Sequence, residues 1–167
     1  MLVARYTAVA HRTAVVLGAG NDAEDVVQEA FVKAFRHLRR FRADAPFRSW
    51  LLRIVANETK NLHRSSRRRA ILALRVTEGT VEEIVDPEGE AVAGERRDRL
   101  VGAVRGLPEK DQWVIACRYF LDLSEAETAQ VLGWPRGSVK SRTSRALDRL
   151  RTRLAGLEHV GEEVAGG

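Results

Sequence analysis

LSEAETAQVLGWPRGSVKSRTSRALDRLR, residues 123–151, encodes a helix, a tight turn and a second helix with a strongly basic free face. Ser124 followed by Glu127 fits a capping box: the hydroxyl accepts from an orphan backbone N–H, the carboxylate reaches back, and a helix starts there. Gly133 and Pro135 then stop it. In the second helix Val139, Ala146, Leu150 and Leu154, with Leu147 beside them, recur at helical spacing and dock on the first helix. Lys140, Ser141, Ser144 and Arg145 share the opposite face. Between residues 136 and 154 the basic side chains are Arg136, Lys140, Arg142, Arg145, Arg149, Arg151 and Arg153, against the single acid Asp148. Most charge runs are solvated faces, but this one follows a helix-turn-helix spacing, and such a face meets phosphates and base edges favourably. A DNA-reading element is therefore expected.

Composition bounds the rest of the chain. With 167 residues, 44% of them hydrophobic, it can bury one moderate core or two small ones. The net charge of +5 hides a marked asymmetry. Thirteen Lys or Arg lie in residues 33–75 against only Asp44 and Glu58, whereas residues 76–99 carry eight acids. No apolar run approaches a membrane span, and the first residues lack the phases of a signal peptide, so a cytoplasmic protein without membrane insertion is expected. Cys117 is the sole cysteine, which leaves no internal disulfide or multi-cysteine metal cluster, and its setting in WVIACRYF favours a buried thiol over a redox sensor. His11, His37, His63 and His159 have no ligand spacing. The GxG in GAGND is incomplete and follows no strand, and Ser or Cys nucleophile contexts are missing. No enzyme, metal or cofactor is expected.

Outward from the helix-turn-helix, the pattern is helical throughout. Residues 2–17 carry apolar side chains at helical intervals, and GAGND closes that helix before Asn21 or Asp22 caps the next. In residues 23–41, Val27, Ala30, Phe31, Ala34, Phe35 and Leu38 form the expected core stripe, with Asp25, Gln28, Glu29 and Val32 on another face. The turn RADAP, residues 42–46, leads into FRSWLLRIVANETKNLHRSSRRR. There Trp50, Leu51, Ile54, Val55, Glu58 and Leu62 lie on one side, interrupted only by Glu58. Arg53, Asn57, Lys60, Asn61, Arg64 and Arg68 recur at spacings of three and four on another. Asn offers donor and acceptor together to a base edge while Arg and Lys neutralise phosphate, a more specific combination than positive charge alone. Residues 70–99 hold TEGTVEEIVDPEGEAVAGE, with Gly, Pro and acids but no sustained period, as expected of a linker with at most a short helix at its start. A second helical unit begins near Arg97 and continues through LPEKDQWVIACRYFLDL, with Pro108 at a helix start. The expected fold is all-α: two small helical domains, residues 1–70 and 97–157, joined by an acidic flexible linker, residues 71–96, and followed by a disordered tail, residues 158–167.

The string DAEDVVQEAFVKAFRHLRRFRADAPFRSWLLRIVAN, a DPE-containing linker, and LPEKDQWVIACRYFLDLSEAETAQVLGWPRGSVKSRTSRALDRLR resembles, in that order, the extracytoplasmic-function sigma factors of bacterial RNA polymerase. The resemblance covers almost the whole chain. It implies a first domain that grips core polymerase and the downstream promoter element, a second that reads the upstream, minus-thirty-five element, and no catalysis. By position it puts Asp25, Gln28 and Glu29 against the beta-prime clamp helices. An ordinary solvated, dipole-favoured helix start accounts for the same acids. The FRADAPF turn matches the loop in which relatives capture a flipped base during melting, with Arg53, Asn57, Lys60, Asn61 and Arg64 on the adjoining helix, and such a pocket offsets the few kcal/mol of unstacking. Phe41 and Phe47 are equally placed for core packing, and Trp50 lies on the apolar stripe. Upstream-element readers correspond to Lys140, Ser141, Ser144 and Arg145, with Arg142 for phosphate; Ser144 is smaller than the side chain that relatives often carry there. Partners implied are core polymerase (clamp helices and beta flap), promoter DNA and, as for many relatives, an anti-sigma factor.

Two departures stand out. MLVARY begins inside what is an early helix in relatives, so a preceding helix is absent or the start was assigned too late. Gln112 and Trp113 stand where charged residues are common, leaving Trp113 for the polymerase flap or for packing on the linker. Promoter elements two and a half turns apart require domains on the order of 85 Å apart. About thirty linker residues reach roughly 100 Å, which suits a chain threaded across polymerase and not two domains packed together. A stand-alone helix-turn-helix regulator, the alternative, explains residues 123–151 but not the Asn and Arg face.

Overall fold

The computed structural model describes residues 2–42, 44–74 and 91–165, and the described residues form helices and turns without a strand. The helices are α1 (Leu2–Val16), α2 (Ala23–His37), α3 (Phe47–Leu74), α4 (Ala91–Arg105), α5 (Glu109–Ile115), α6 (Glu125–Leu132) and α7 (Arg136–Ala165). A wider, π-type turn continues α5 over Ala116–Phe120. The helices thus enter both ends of the stretch assigned to the linker, and residues 75–90 of that stretch lie outside the described residues. Helical backbone also runs to Ala165, through most of the stretch expected as a disordered tail, where no proline interrupts Ala, Glu and Val.

In the first half, α1, α2 and α3 close around Ala10, Ala14, Ala19, Ala23, Val26, Val27, Ala30 and Val55, with Phe31, Ile54 and Leu62 at the edge. These are mostly small side chains, which lets the three helices approach closely. The glycines of GAGND supply the left-handed turn between α1 and α2, with φ of 97° at Gly18 and 56° at Gly20. Asp22 holds the position before α2 but its side chain makes no capping bond, because a 3₁₀ turn over Gly20–Asp22 already feeds the chain into the helix.

The expected stripe of α2 is corrected at its C-terminal end: Phe35 is 81% exposed and Leu38 43%. The buried line runs Ala23, Val26, Val27, Ala30, Ala34, and Phe35 lies about 100° around the helix from Ala34, on the flank of Gln28 and Val32. On α3, Leu51 and Val55 are buried as expected and Glu58 is answered by Lys33, 2.7 Å away. Trp50 is half-buried with Tyr6, Phe41 and Phe47 in a cluster of rings 5.2 to 5.6 Å apart, so both phenylalanines flanking the turn are packing groups.

The second half packs α4, α5 and α7 around Ala103, Leu107, Val114, Ile115, Val139, Ala146 and Leu150. Gln112 donates to the carbonyls of Arg105 (3.0 Å) and Leu107 (2.7 Å), closing the end of α4.

The two halves are packed against each other, contrary to the expectation from linker reach. Leu52 and Ala56 of α3 and Leu17 share one buried cluster with Ala116, Cys117, Leu121, Leu123, Val131 and Leu132. α3 is therefore buried along a second line that the sequence pattern, dominated by its polar face, did not reveal. Arg67 pairs with Glu109 at 3.0 Å and Arg48 with Glu127 at 3.8 Å across the same seam. Cys117 is fully buried there, and burial pushes its thiol up to about 12. A separation of the halves belongs to a promoter-spanning state; apolar surface on both favours this closed one.

Candidate nucleic-acid interface

Helix α6 begins as expected. Ser124 Oγ accepts from Glu127 N (3.1 Å) and Glu127 Oε2 accepts from Ser124 N (2.8 Å), a complete capping box. The bond from the Ser124 backbone holds the Glu127 carboxyl below the usual range, against a smaller opposing effect of burial. Gly133, at φ 70° and ψ 35°, ends α6 in the left-handed conformation that a side chain would strain. Pro135 turns the chain into α7, its carbonyl accepting from Ser138 and Val139.

With Val139, Ala146 and Leu150 buried, α7 presents Lys140, Ser141, Ser144 and Arg145 to solvent together. Arg145 is exposed and its Nε donates to Ser141 O at 3.3 Å, a bond that does not use the Nη groups. Arg142 does not join this face. Its Nη1 donates to Asp111 Oδ1 at 3.0 Å, and its guanidinium carbon sits 5.7 Å from the centre of the Trp134 ring.

On α3, Arg53, Asn57, Asn61 and Arg64 are exposed on one continuous face, with Arg68 a turn further along. Lys60 departs from it: Nζ donates to Leu132 O at 3.0 Å and lies 5.0 Å from the Trp113 ring centre. Burial lowers its pKa. The Arg53 guanidinium also borders the seam, since a Cβ on Gly133 would lie 3.6 Å from Nη2. Trp113 packs against Trp134 (6.4 Å between centres) and beneath Lys60, while the linker on which it was expected to pack lies largely outside the described residues.

On α2, Asp25, Gln28 and Glu29 are exposed together, Glu29 lying 3.6 Å from Lys33. Phe35 and Val32 extend that surface with apolar area, and Phe35 is the member that sequence reasoning placed in the core. Asp111 was missed as well, although the spacing of Leu107, Asp111, Val114 and Ile115 sets it on the buried side of α5. Among the described residues, no helix is long and apolar enough to cross a membrane, and no three His, Cys, Asp or Glu side chains gather as a metal site would need.

Comparison with known proteins agrees with this geometry. The Sigma-70 region 2 family matches residues 2–69, and the Sigma-70 region 4 family matches residues 97–150. The ECF RNA polymerase sigma-E factor of Escherichia coli (strain K12) is 34% identical over 168 residues, covering 94% of this chain and 86% of that protein. Its counterpart in Haemophilus influenzae is 33% identical over 145 residues, covering 82% and 77%. Among solved structures, CnrH in complex with the cytosolic domain of CnrY superposes with a TM-score of 0.65 at 28% identity, over 93% of this chain and 86% of that one. The sigma factor RpoE of Bartonella quintana, solved with the anti-sigma factor NepR, shares the fold with a TM-score of 0.71 at 23% identity, over 92% and 94%. Two sigma regions in order, matched along nearly the whole chain by sequence and by fold, make this protein a member of the extracytoplasmic-function RNA polymerase sigma factors of the sigma-70 family.

Proposed function

We propose that this sigma factor works in the cytoplasm through three outward faces. Asp25, Gln28 and Glu29, with the exposed Phe35 beside them, dock α2 on the beta-prime clamp helices, while the second half engages the beta flap. Arg53, Asn57, Asn61 and Arg64 engage the downstream promoter element as it opens, and Lys60 joins them once the halves part. Lys140, Ser141, Ser144 and Arg145 read the upstream element in the major groove. The observation that carries this is the presence, in one chain, of an Asn and Arg face on α3 and a basic reading face on α7, both exposed. A stand-alone helix-turn-helix regulator would leave the α3 face without a role. An anti-sigma partner is supported by the solved complexes of similar fold, one of them with the anti-sigma factor NepR.

The purified chain, added to core RNA polymerase, should give transcription from a discrete start on promoters selected by the mixture. Charge reversal in the Asp25→Lys, Glu29→Lys double variant should weaken holoenzyme assembly, measured by co-elution with core, while far-UV circular dichroism stays unchanged. Normal assembly by that variant would remove these side chains from the polymerase contact.

A further inference from the structure

Asp111 is the carboxylate on which the second half turns. It lies in the first turn of α5, its side chain is 1% exposed, and its two oxygens reach different arginines of α7. Oδ1 accepts from Arg142 Nη1 at 3.0 Å and Oδ2 from Arg149 Nη1. Arg142 and Arg149 are two turns apart, so they project from one side of α7. That side flanks the buried line of Val139, Ala146 and Leu150 and borders the exposed face at Arg145, one turn from Arg149.

A single carboxylate held by two guanidinium groups two turns apart fixes both the rotation of α7 about its axis and its position along that axis. Hydrophobic contacts alone define these less sharply, because a helix slides and rolls on apolar side chains at small cost. Trp134, from the turn between α6 and α7, covers the Arg142 end of the fork. The same contacts hold two cations that already reach the surface, the Arg142 side chain 29% and the Arg149 side chain 51% exposed, so loss of the carboxylate charge would leave both available to phosphate.

We propose that Asp111 is a positioning residue for promoter reading. It sets the orientation in which α7 presents Lys140, Ser141, Ser144 and Arg145, and it withholds Arg142 and Arg149 from the DNA backbone so that binding is governed by base contacts. This inference rests on the proposed role of α7 in reading the upstream element, and it reassigns Arg142 from phosphate contact to internal anchor.

The test uses holoenzyme assembled from the full chain and core polymerase, with the preferred upstream element first obtained by binding-site selection. Affinity is then measured against salt for that element and for a scrambled one. The isosteric Asp111→Asn variant should lower the ratio between the two by roughly tenfold, the size of one lost base contact. It should also steepen the salt dependence by about one to two units as the freed arginines find phosphate. Destabilisation alone would weaken binding without steepening that dependence. Arg142→Ala should lower the ratio and leave the salt dependence unchanged, and this variant decides the matter if Asp111→Asn does not fold. A salt dependence flattened by about one unit in Arg142→Ala, or an unchanged ratio and slope in a folded Asp111→Asn, overturns the proposal. Failure of the wild-type holoenzyme to select any upstream sequence instead overturns the reading role of α7 itself.

Discussion

Asn57 and Lys60 are three residues apart on α3 and yet differ in what the closed chain lets them do. Asn57 is exposed, whereas the Lys60 ammonium is spent on Leu132 O and the Trp113 ring. A contact by Asn57 that forms only when bases unstack leaves a kinetic signature: Asn57→Ala should impair open-complex formation more than initial duplex binding. Footprinting and permanganate reactivity on one promoter separate the stages, and equal loss at both would make Asn57 a structural residue. Periodicity put Asn57, Asn61 and Arg64 on one face, and all three are exposed there, because exposure along a single helix is a local property. It did not foresee the surroundings of Lys60 and Phe35, nor did the resemblance foresee those of Arg142, because they depend on which neighbouring helix covers which flank. Lys60 meets α6, Phe35 falls just outside the reach of α1 and α3, and Arg142 meets a carboxylate thirty-one residues earlier in the chain.

At the scale of the element, α6 spans only Glu125–Leu132, too short to persist on propensity alone. Its ends carry it. The capping box satisfies donors at the N-terminus, Gly133 closes the C-terminus, and the Lys60 ammonium meets the Leu132 carbonyl at the negative end of the helix dipole. Ser124→Ala should therefore cost about 1 kcal/mol in urea unfolding. The Glu127 half of the box titrates: its carboxyl is more acidic folded than unfolded. Its contribution is thus complete above the ordinary glutamate value of about 4.3 and fades as the pH falls through the lower folded value. A stability gap between wild type and Glu127→Gln should be present at neutral pH and shrink in acid; a gap independent of pH would mean that the charge does not matter to the cap. Both ends of α6 were legible in the sequence because caps are coded by the residues that form them. Its partner α3 was not, since Leu52 and Ala56 carry no sign of what covers them.

For the whole molecule, the seam between the halves sets the terms on which the chain meets a promoter. If the halves engage promoter elements two and a half turns apart as proposed, on the order of 85 Å from each other, Leu52 and Ala56 must part from Val131 and Leu132 first. Cys117, the sole cysteine, is buried in that seam and reports its opening. Ala56→Asp, which sets a charge between the halves, should speed labelling of Cys117 by a disulfide reagent by about tenfold or more while helix content is retained. An unchanged rate would show that Cys117 is covered by its own half. The seam is chiefly aliphatic, with Arg48–Glu127 and Arg67–Glu109 at its margin. Its strength therefore follows the thermodynamics of apolar hydration: parting the halves raises the heat capacity by about 0.45 cal/mol/K for each Å² of apolar surface wetted. Closure of this kind weakens on cooling. Cooling should thus make the parted form easier to reach than it is at the temperature where the seam is most stable.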